Sequence, residues 1–172
     1  MHAPRHSLID RMKGAALLYI DTYEEVEADT SATGQAAIVV AIVAVASAIG
    51  GVEEGATGII GGLIGAFFTW LIWSGITYLI GDKLLGGTAT WGELLRTIGF
   101  AQSPGVLYVL AWIPGLGWLI RFAVAVWLLI AGIIAIRQAL DFGTGKAILT
   151  ALLGWLLVVL IPAAILASRG MM

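Results

Sequence analysis

The chain of 172 residues contains no cysteine, only two histidines and few charged residues. The absence of cysteine excludes disulfides, thiolate zinc sites, iron–sulfur clusters and cysteine nucleophiles. Both histidines, His2 and His6, precede every apolar stretch, so neither is placed to ligate a haem within a membrane. We therefore expect no cofactor and no metal. Because the chain has no basic block and a net charge of −2, we also expect no nucleic-acid partner.

Apolar residues dominate the composition. They make up 60% of the chain, while charged residues make up 12%, about half the share found in soluble domains. A chain of this length forms one domain, and a composition this apolar indicates that lipid surrounds it. The sequence therefore predicts an all-α integral membrane protein.

Five apolar stretches predict five membrane spans, because about 20 apolar residues cross the hydrocarbon core of a bilayer. The third stretch begins at Pro104, a favourable first helical residue, and is short because Pro114-Gly115 breaks it. A tight hairpin here gives five spans, and a single bent helix gives four. We prefer the five-span bundle, formed by residues 36–170 after a lead-in of residues 1–35, with spans at about 36–51, 57–80, 104–114, 118–137 and 147–167.

Basic residues predict the orientation, since lysine and arginine are retained on the cytoplasmic side. With five spans and a cytoplasmic N-terminus, seven of the nine basic residues lie inside and only Arg121 and Arg169 lie outside. The inside residues are Arg5, Arg11, Lys13, Lys83, Arg96, Arg137 and Lys146.

The lead-in predicts a short amphipathic and acidic segment. Ser7 is placed to open a helix, and Asp21, followed three residues later by Glu24, resembles a second helix start. The segment either lies on the membrane and offers an acidic face to a partner, or is a solvated lead-in that packs against loops. Its apolar positions on one face of the first helix are Leu8, Ile9, Met12, Ala16 and Leu17.

Thr90 and Glu93 form a capping box that predicts a short helix from Trp91 to about Phe100. We expect this helix in the membrane interface, with Trp91 at headgroup depth and Arg96 on its polar side. The alternative is a loop helix that only links two spans.

Small residues and one ion pair supply the predicted helix contacts. Close backbone contact joins helices in lipid, so the glycines of the second span predict tight packing on the first span, or else homo-oligomerisation. These glycines are Gly58, Gly61, Gly62 and Gly65.

Arg137 and Asp141, four residues apart, predict an ion pair at the inner interface, with Lys146 beside it.

Catalytic motifs are not found. Gly143-Thr144-Gly145-Lys146 fails as a phosphate loop, because Leu140 and Ala147 replace the required glycine and hydroxyl residue. The serines have no base near them, and the acidic pairs have no histidine or basic partner at a useful spacing. We expect no enzyme activity.

Several stretches are similar to the bacterial branch of the Yip family, the Ypt/Rab-interacting membrane proteins. The first is Gly99-Phe100-Ala101-Gln102-Ser103-Pro104, and the most specific runs from Ala135 to Ile148 around Arg137-Gln138-Ala139-Leu140-Asp141. Tyr23 to Asp29, continued by Ala32 to Ala36, resembles the bacterial lead-in. The resemblance covers nearly the whole chain.

The resemblance implies five spans with a cytosolic N-terminus and a lumenal or periplasmic C-terminus, here in a bacterial inner membrane. Eukaryotic members assist vesicle traffic, bind prenylated Rab GTPases and pair with relatives. Their Asp-Leu-Tyr-Gly-Pro motif is missing here, where the nearest loop reads Val52-Glu53-Glu54-Gly55-Ala56, so GTPase binding is not expected.

These observations favour a non-enzymatic polytopic inner-membrane scaffold or adaptor that works through protein or lipid contacts in membrane organisation or trafficking-like processes. We expect its partners to be the lipid bilayer and other membrane proteins or a second copy. Two alternatives stay open. One is a small-solute transporter or channel with a path past Thr69, Ser74, Thr77, Gln138 and Arg121, and the other is an accessory subunit of a larger membrane complex.

Overall fold

The computed structural model describes the backbone of residues 6–51 and 55–169, and the side chains of 6–51, 60–158 and 160. All regular secondary structure in these residues is helical. The order is α1 (Leu8–Ala16), α2 (Ile20–Ala28), α3 (Ala32–Gly50), α4 (Gly55–Tyr78), a π-helical turn (Leu79–Leu84), α5 (Trp91–Ala101), a 3₁₀ helix (Ser103–Trp112), α6 (Gly117–Ala139) and α7 (Thr144–Arg169).

Three of these segments are long and apolar enough to cross a membrane: Ala32–Gly50, Ile60–Leu84 and Gly117–Ala139. An apolar helix suits a bilayer because it satisfies its own backbone hydrogen bonds where water is absent. α7 adds a shorter apolar stretch, Thr144–Val158. The described residues therefore contain three span-length apolar helices, fewer than the five crossings predicted from the sequence.

The third predicted span is not an α-helix. Residues Ser103–Trp112 form a 3₁₀ helix with Pro104 in its first turn, and the chain then turns at Pro114 and Gly115, where Gly115 has a φ of +79°. α6 begins at Gly117, so close to the 3₁₀ helix that a Cβ on Gly117 would strike the Ala111 carbonyl. The predicted break and hairpin are confirmed, and the alternative of one bent helix is wrong.

α5 begins as predicted but lies in a different place. The Thr90 side chain accepts a hydrogen bond from the Glu93 N–H, and the Glu93 carboxylate accepts one from the Thr90 N–H. Every residue from Arg96 to Ala101 is buried, however, so this half of α5 is part of the core and Arg96 does not lie on an exposed polar side. The sequence pattern of α5 did not predict its burial, because α5 packs against several other helices of the bundle.

Together α5 and the 3₁₀ helix form one path along α3. At about 1.5 Å and 2.0 Å per residue, the two pieces extend about 36 Å, close to the thickness of a bilayer core. A Cβ on Gly99 would lie 2.7 Å from the Cβ of Ala36, and one on Gly105 would lie 2.5 Å from Val43. From the first contact pair to the second, the residue numbers increase on both elements, so this path runs parallel to α3.

α4 runs in the opposite direction to α5. The Trp70 Nε1–H donates to the Leu95 carbonyl at 2.9 Å, while Gly75, further along α4, faces Trp91 at the start of α5. α6 turns back after the 3₁₀ helix, and α7 packs on α4 and its π-helical turn. The long segments thus alternate in direction along the chain.

The lead-in forms a hairpin of α1 and α2 that belongs to the core. Ser7 caps α1 as predicted, but α2 begins at Ile20 after Tyr19, without the cap expected from Asp21. The burial of α1 also differs from the prediction, because Gly14 and Ala15 face inward while Ile9 and Leu17 are exposed. Ala15, Tyr23 and Val26 are fully buried in the main hydrophobic cluster, so the lead-in does pack against the rest of the protein, but as part of the core and not as a solvated segment.

The glycines of α4 do not make the close contacts predicted for them. A Cβ built on Gly61, Gly62 or Gly65 meets nothing within 4 Å, and all three residues are exposed. The surroundings of Gly58 lie outside the described side chains. α3 does pack on α4, as predicted, but the close approach that glycine allows is between α3 and the 3₁₀ helix, at Gly50 and Gly105.

Candidate functional site at the polar end of the bundle

The most deeply buried charges lie where α2 meets α1, α3 and α5. Arg11 of α1 is 1% exposed and Arg96 of α5 is 5% exposed, and both bind α2. Arginine is seldom buried this deeply without partners, so these contacts set the position of α2. We call these two arginines, with Glu25 and Glu27 of α2 and Asp29 directly after α2, the polar junction.

Arg11 joins three helices. Its Nε and Nη2 donate to Glu25 Oε1 at 3.0 and 2.8 Å, and Nη2 also donates to Asp29 Oδ2 at 2.7 Å. Nη1 donates to Gln35 Oε1 of α3 at 2.8 Å. Hydrogen bonds from Ser31 and from Arg11 lower the pKa of Asp29 to about 2, so this carboxylate is ionised at neutral pH.

Glu25 also binds the start of the described chain. The His6 Nδ1 lies 2.5 Å from Glu25 Oε2, beside the bond from Arg11. Burial raises the pKa of Glu25, but the hydrogen bonds from His6 and Arg11 outweigh it and leave the pKa below its ordinary value. The carboxylate therefore stays charged and ties α2 to α1.

Arg96 caps the end of α2. Its Nε donates to the carbonyls of Val26 at 2.9 Å and Glu27 at 3.1 Å, and its Nη2 donates to the Glu27 carbonyl as well. The last carbonyls of a helix have no partner within it and carry the negative end of its dipole. A buried guanidinium satisfies both needs, which explains why a charge is tolerated inside α5.

Glu27 has an unusual environment. Its side chain is partly buried, and burial together with the charges of Glu93, Asp141 and Glu24 raises its pKa to about 7, while Arg96 opposes this shift. The carboxyl group therefore takes up a proton near neutral pH. The polar junction consequently contains one acidic group that titrates in the physiological range.

A shallow pocket of about 290 Å³ opens at the α6–α7 connection. Arg137, Gln138, Asp141, Phe142, Gly143 and Thr144 line it. The Gln138 Nε2 donates to Glu24 Oε1 at 3.2 Å, so the pocket is attached to α2. Its polar wall could contact a headgroup or a polar segment of a partner.

The predicted ion pair of Arg137 and Asp141 is not formed within the described residues. Arg137 Nε donates to Gln138 Oε1 at 3.0 Å, and Asp141 Oδ2 accepts from Thr88 Oγ1 at 2.7 Å. Asp141 has a φ of +53°, because it lies in the turn after α6 and no longer on its helical face. Helical spacing therefore did not apply to this pair, although both residues line one pocket.

The other predicted site residues are separated. Lys146 Nζ donates to the Leu85 carbonyl at 3.2 Å and lies 5.0 Å from the Phe142 ring centroid, which joins α7 to the π-helical turn. Trp91 is half-exposed at the start of α5. Pro104 is buried and Pro114 is exposed, near the two ends of the 3₁₀ helix, and neither belongs to the polar junction.

Sequence reasoning missed the Arg11 cluster. Glu25 and Asp29 are four residues apart in the sequence, a spacing that places side chains on one face of a helix and could have indicated a shared cation. Arg11 was counted only as a charge on the cytoplasmic side, because nothing local distinguishes it from Lys13. Its partners come from α2 and α3, at separations of 14 to 24 residues.

The chemistry of this end is suited to binding. No group of three or more metal-ligating side chains occurs among the described residues. The arginines are occupied by carboxylates, a side-chain amide and carbonyls, and the pocket offers polar walls. The arrangement holds helices together and presents a polar surface.

The apolar helices and the polar end define this chain as an all-helical membrane protein. The family model described as the Yip1 domain matches residues 20–166, nearly the whole chain. The protein therefore belongs to the Yip1 domain family. No curated protein and no solved structure matches the chain.

Proposed function

We propose that this protein is a non-enzymatic membrane scaffold or adaptor that acts through protein or lipid contacts at its polar end. The observation that carries the proposal is how its polar groups are used. Arg11, Arg96, Arg121 and Gln138 all bind other helices of the same chain, and Arg121 donates to the Gly50 carbonyl at 2.7 Å. This use of polar groups favours a fixed platform over a catalyst.

A transporter or channel is less well supported. A solute path would need polar groups on one continuous surface. Thr69 is exposed on the outside of α4, Ser74 and Thr77 are buried, and Arg121 and Gln138 lie near opposite ends of α6. These positions are scattered, which speaks against a path along them.

We further propose five crossings of a bacterial inner membrane, with a cytoplasmic N-terminus and a periplasmic C-terminus. The alternating directions of the long segments support this number, as does the 36 Å path of α5 and the 3₁₀ helix. α7, with its apolar stretch Thr144–Val158, supplies the fifth crossing. Reporter fusions test this topology. Fusions after α4 and after α6 should report the cytoplasm, and a fusion at the C-terminus should report the periplasm. An N-terminus and a C-terminus in one compartment would contradict the five crossings.

The scaffold proposal is tested by purification under gentle extraction. We would extract the full tagged chain at native expression and compare it with Thr144→Arg, which places a bulky cation on the rim of the α6–α7 pocket. Thr30→Arg, at an exposed position outside the pocket, is the matched control. We expect a defined protein or lipid to purify with the wild type and with Thr30→Arg, and to be lost from Thr144→Arg. A wild type that purifies alone would refute the proposal.

A further inference from the structure

The α1–α2 hairpin exposes large apolar side chains around its turn. Leu17 is 57% exposed and Tyr19 is 58% exposed, and Ile9 and Ile20 are exposed as well. Ile9, Lys13 and Leu17 follow one another at intervals of four residues along the outward face of α1. Clustered exposed apolar residues on a packed element indicate contact with something other than water.

Two hydrogen bonds locate this turn along α6. The Trp127 Nε1–H donates to the Ala16 carbonyl at the end of α1 at 2.8 Å, and Gln138 binds Glu24 of α2. Trp127 and Gln138 are eleven residues apart, which is about 16 Å along a helix. The hairpin therefore lies beside one half of α6, with its turn nearer the middle of that helix and Glu24 nearer the end.

The depth of the turn follows from the length of α6. α6 is long and apolar enough to span a membrane, and Trp127 lies close to its midpoint. Its neighbours Val126 and Ile130 are exposed apolar residues on the same helix. Leu17 follows the carbonyl that Trp127 binds, so the apolar face of the turn continues the outer surface of α6.

Backbone N–H groups of the turn are hydrogen-bonded within the chain, as an apolar environment requires. The N–H groups of Leu17, Leu18 and Tyr19 donate to the carbonyls of Lys13, Ala15 and Gly14 at 2.9 to 3.1 Å. Leu18 adopts a φ of +63° to make this closure. Irregular backbone is tolerated near hydrocarbon only where its polar groups are satisfied.

Polar groups border this apolar face. Lys13 is exposed between Ile9 and Leu17, and its aliphatic chain is long enough to bring the ammonium to a headgroup. Glu24 lies at the level of Gln138, towards the polar end.

We propose that the turn of the α1–α2 hairpin is inserted into the lipid leaflet on the Gln138 side of the bundle. Leu17, Tyr19 and Ile20 contact acyl chains there, and Lys13 reaches the headgroups. The hairpin is therefore a lipid-contacting wedge held in place by the polar junction. This inference rests on the proposed membrane scaffold, and it names lipid as the partner of one particular surface.

The absence of cysteine allows a direct test. We would make Leu17→Cys, Ile20→Cys, Leu129→Cys and Glu24→Cys in the full chain and label each with a nitroxide. Each protein is reconstituted in vesicles of phosphatidylcholine and phosphatidylglycerol, and its collisions with oxygen and with a water-soluble nickel chelate are measured. Leu129 is an exposed apolar residue of α6 and reports the hydrocarbon, while the exposed Glu24 reports the aqueous side.

We expect the ratio of oxygen to nickel collisions at positions 17 and 20 to approach that at 129 and to exceed that at 24 several-fold. If positions 17 and 20 match position 24 while 129 reports hydrocarbon, the wedge is refuted and the membrane placement stands. If position 129 is itself exposed to nickel, the membrane placement fails. Protection from both reagents at position 17, with coupling between two labels, would place a second copy there and overturn the proposal.

Discussion

The α1–α2 hairpin and the first half of α4 form a contrast, because the element that carries the charges is the more closely packed of the two. The hairpin carries charges of both signs, yet Arg11, Tyr23 and Val26 are almost completely enclosed. α4 contains no charged residue, yet Gly61, Gly62 and Gly65 face open space. The charged element is fixed in the bundle, and the apolar element leaves these three glycines uncovered.

The difference follows from the solvent. Between helices in lipid there is little hydrophobic driving force, because acyl chains are as apolar as leucine. Hydrogen bonds between helices and close backbone contacts then decide which surfaces meet. The hairpin has Arg11 and receives Arg96, whereas Gly61, Gly62 and Gly65 of α4 have no contact with a neighbouring helix.

The largest expected effect is on the hairpin. Arg11→Met should lower the free energy of unfolding by about 3 kcal/mol, because it leaves Glu25 and Asp29 partly buried without their cation. Denaturation of the detergent-solubilised protein with SDS measures this change. Lys13→Met, an exposed position on the same helix, should change it by less than about 0.5 kcal/mol. Equal effects of the two variants would show that the hairpin is not held by Arg11.

Two glycine substitutions compare Gly99 of α5, which contacts neighbouring helices, with Gly61 of α4, which does not. Gly99→Ala should destabilise the protein by about 2 kcal/mol, because its Cβ would lie 2.7 Å from Ala36 and 3.2 Å from the Trp70 Nε1. Gly61→Ala meets no neighbour and should be neutral or slightly stabilising, since alanine favours helices. Both changes are measured by the same SDS titration. A loss of stability in Gly61→Ala would indicate that a second copy covers the glycines.

Trp127→Phe tests the contact that docks α1 on α6. It removes the hydrogen bond to the Ala16 carbonyl and should lower the free energy of unfolding by about 1 kcal/mol. Amide hydrogen exchange should rise in α1 and remain unchanged in α3. Trp118→Phe, at a mostly exposed tryptophan near the start of α6, provides the control. Similar exchange in both variants would argue against this anchor.

The smallest effect concerns pH. The pKa of Glu27 is raised to about 7 in the folded protein, against about 4.5 when unfolded, so the folded state binds the proton more tightly. Stability should therefore fall as pH rises through the window from 4.5 to 7. Because the side chain is only partly buried, solvent screening limits the change to less than about 1 kcal/mol.

Glu27→Gln should flatten this pH dependence, while Glu24→Gln, at an exposed neighbouring position, should leave most of it in place. Thermal unfolding in detergent from pH 5 to 8 measures both variants. A wild type whose stability is constant across this range would contradict the assignment.

Several elements were predictable because their signals are local. Ser7 opens α1 and the Thr90–Glu93 capping box opens α5, since a cap depends on residues three positions apart. Pro114 and Gly115 interrupt the helical path, because proline restricts its own backbone and glycine allows the positive φ of the turn. Such signals require no knowledge of neighbouring helices.

The site was less predictable for the same reason. Arg96 was expected on a polar face, but α2 supplies carbonyls that allow it to be buried. Arg137 and Asp141 were paired by helical spacing, which failed once α6 ended before Asp141. A pattern within one segment does not reveal which other segment approaches it.

The amino-acid sequence by itself determined that the chain is helical, suited to lipid, and interrupted at definite turns. Hydropathy, caps and prolines act over a few residues, so these properties precede any packing. Only the tertiary structure decided which polar groups are buried, that α1 and α2 join the core, and that Gly61, Gly62 and Gly65 of α4 are left uncovered. Those outcomes depend on hydrogen bonds and close contacts between segments far apart in sequence, and their energies exist only when both partners are in place.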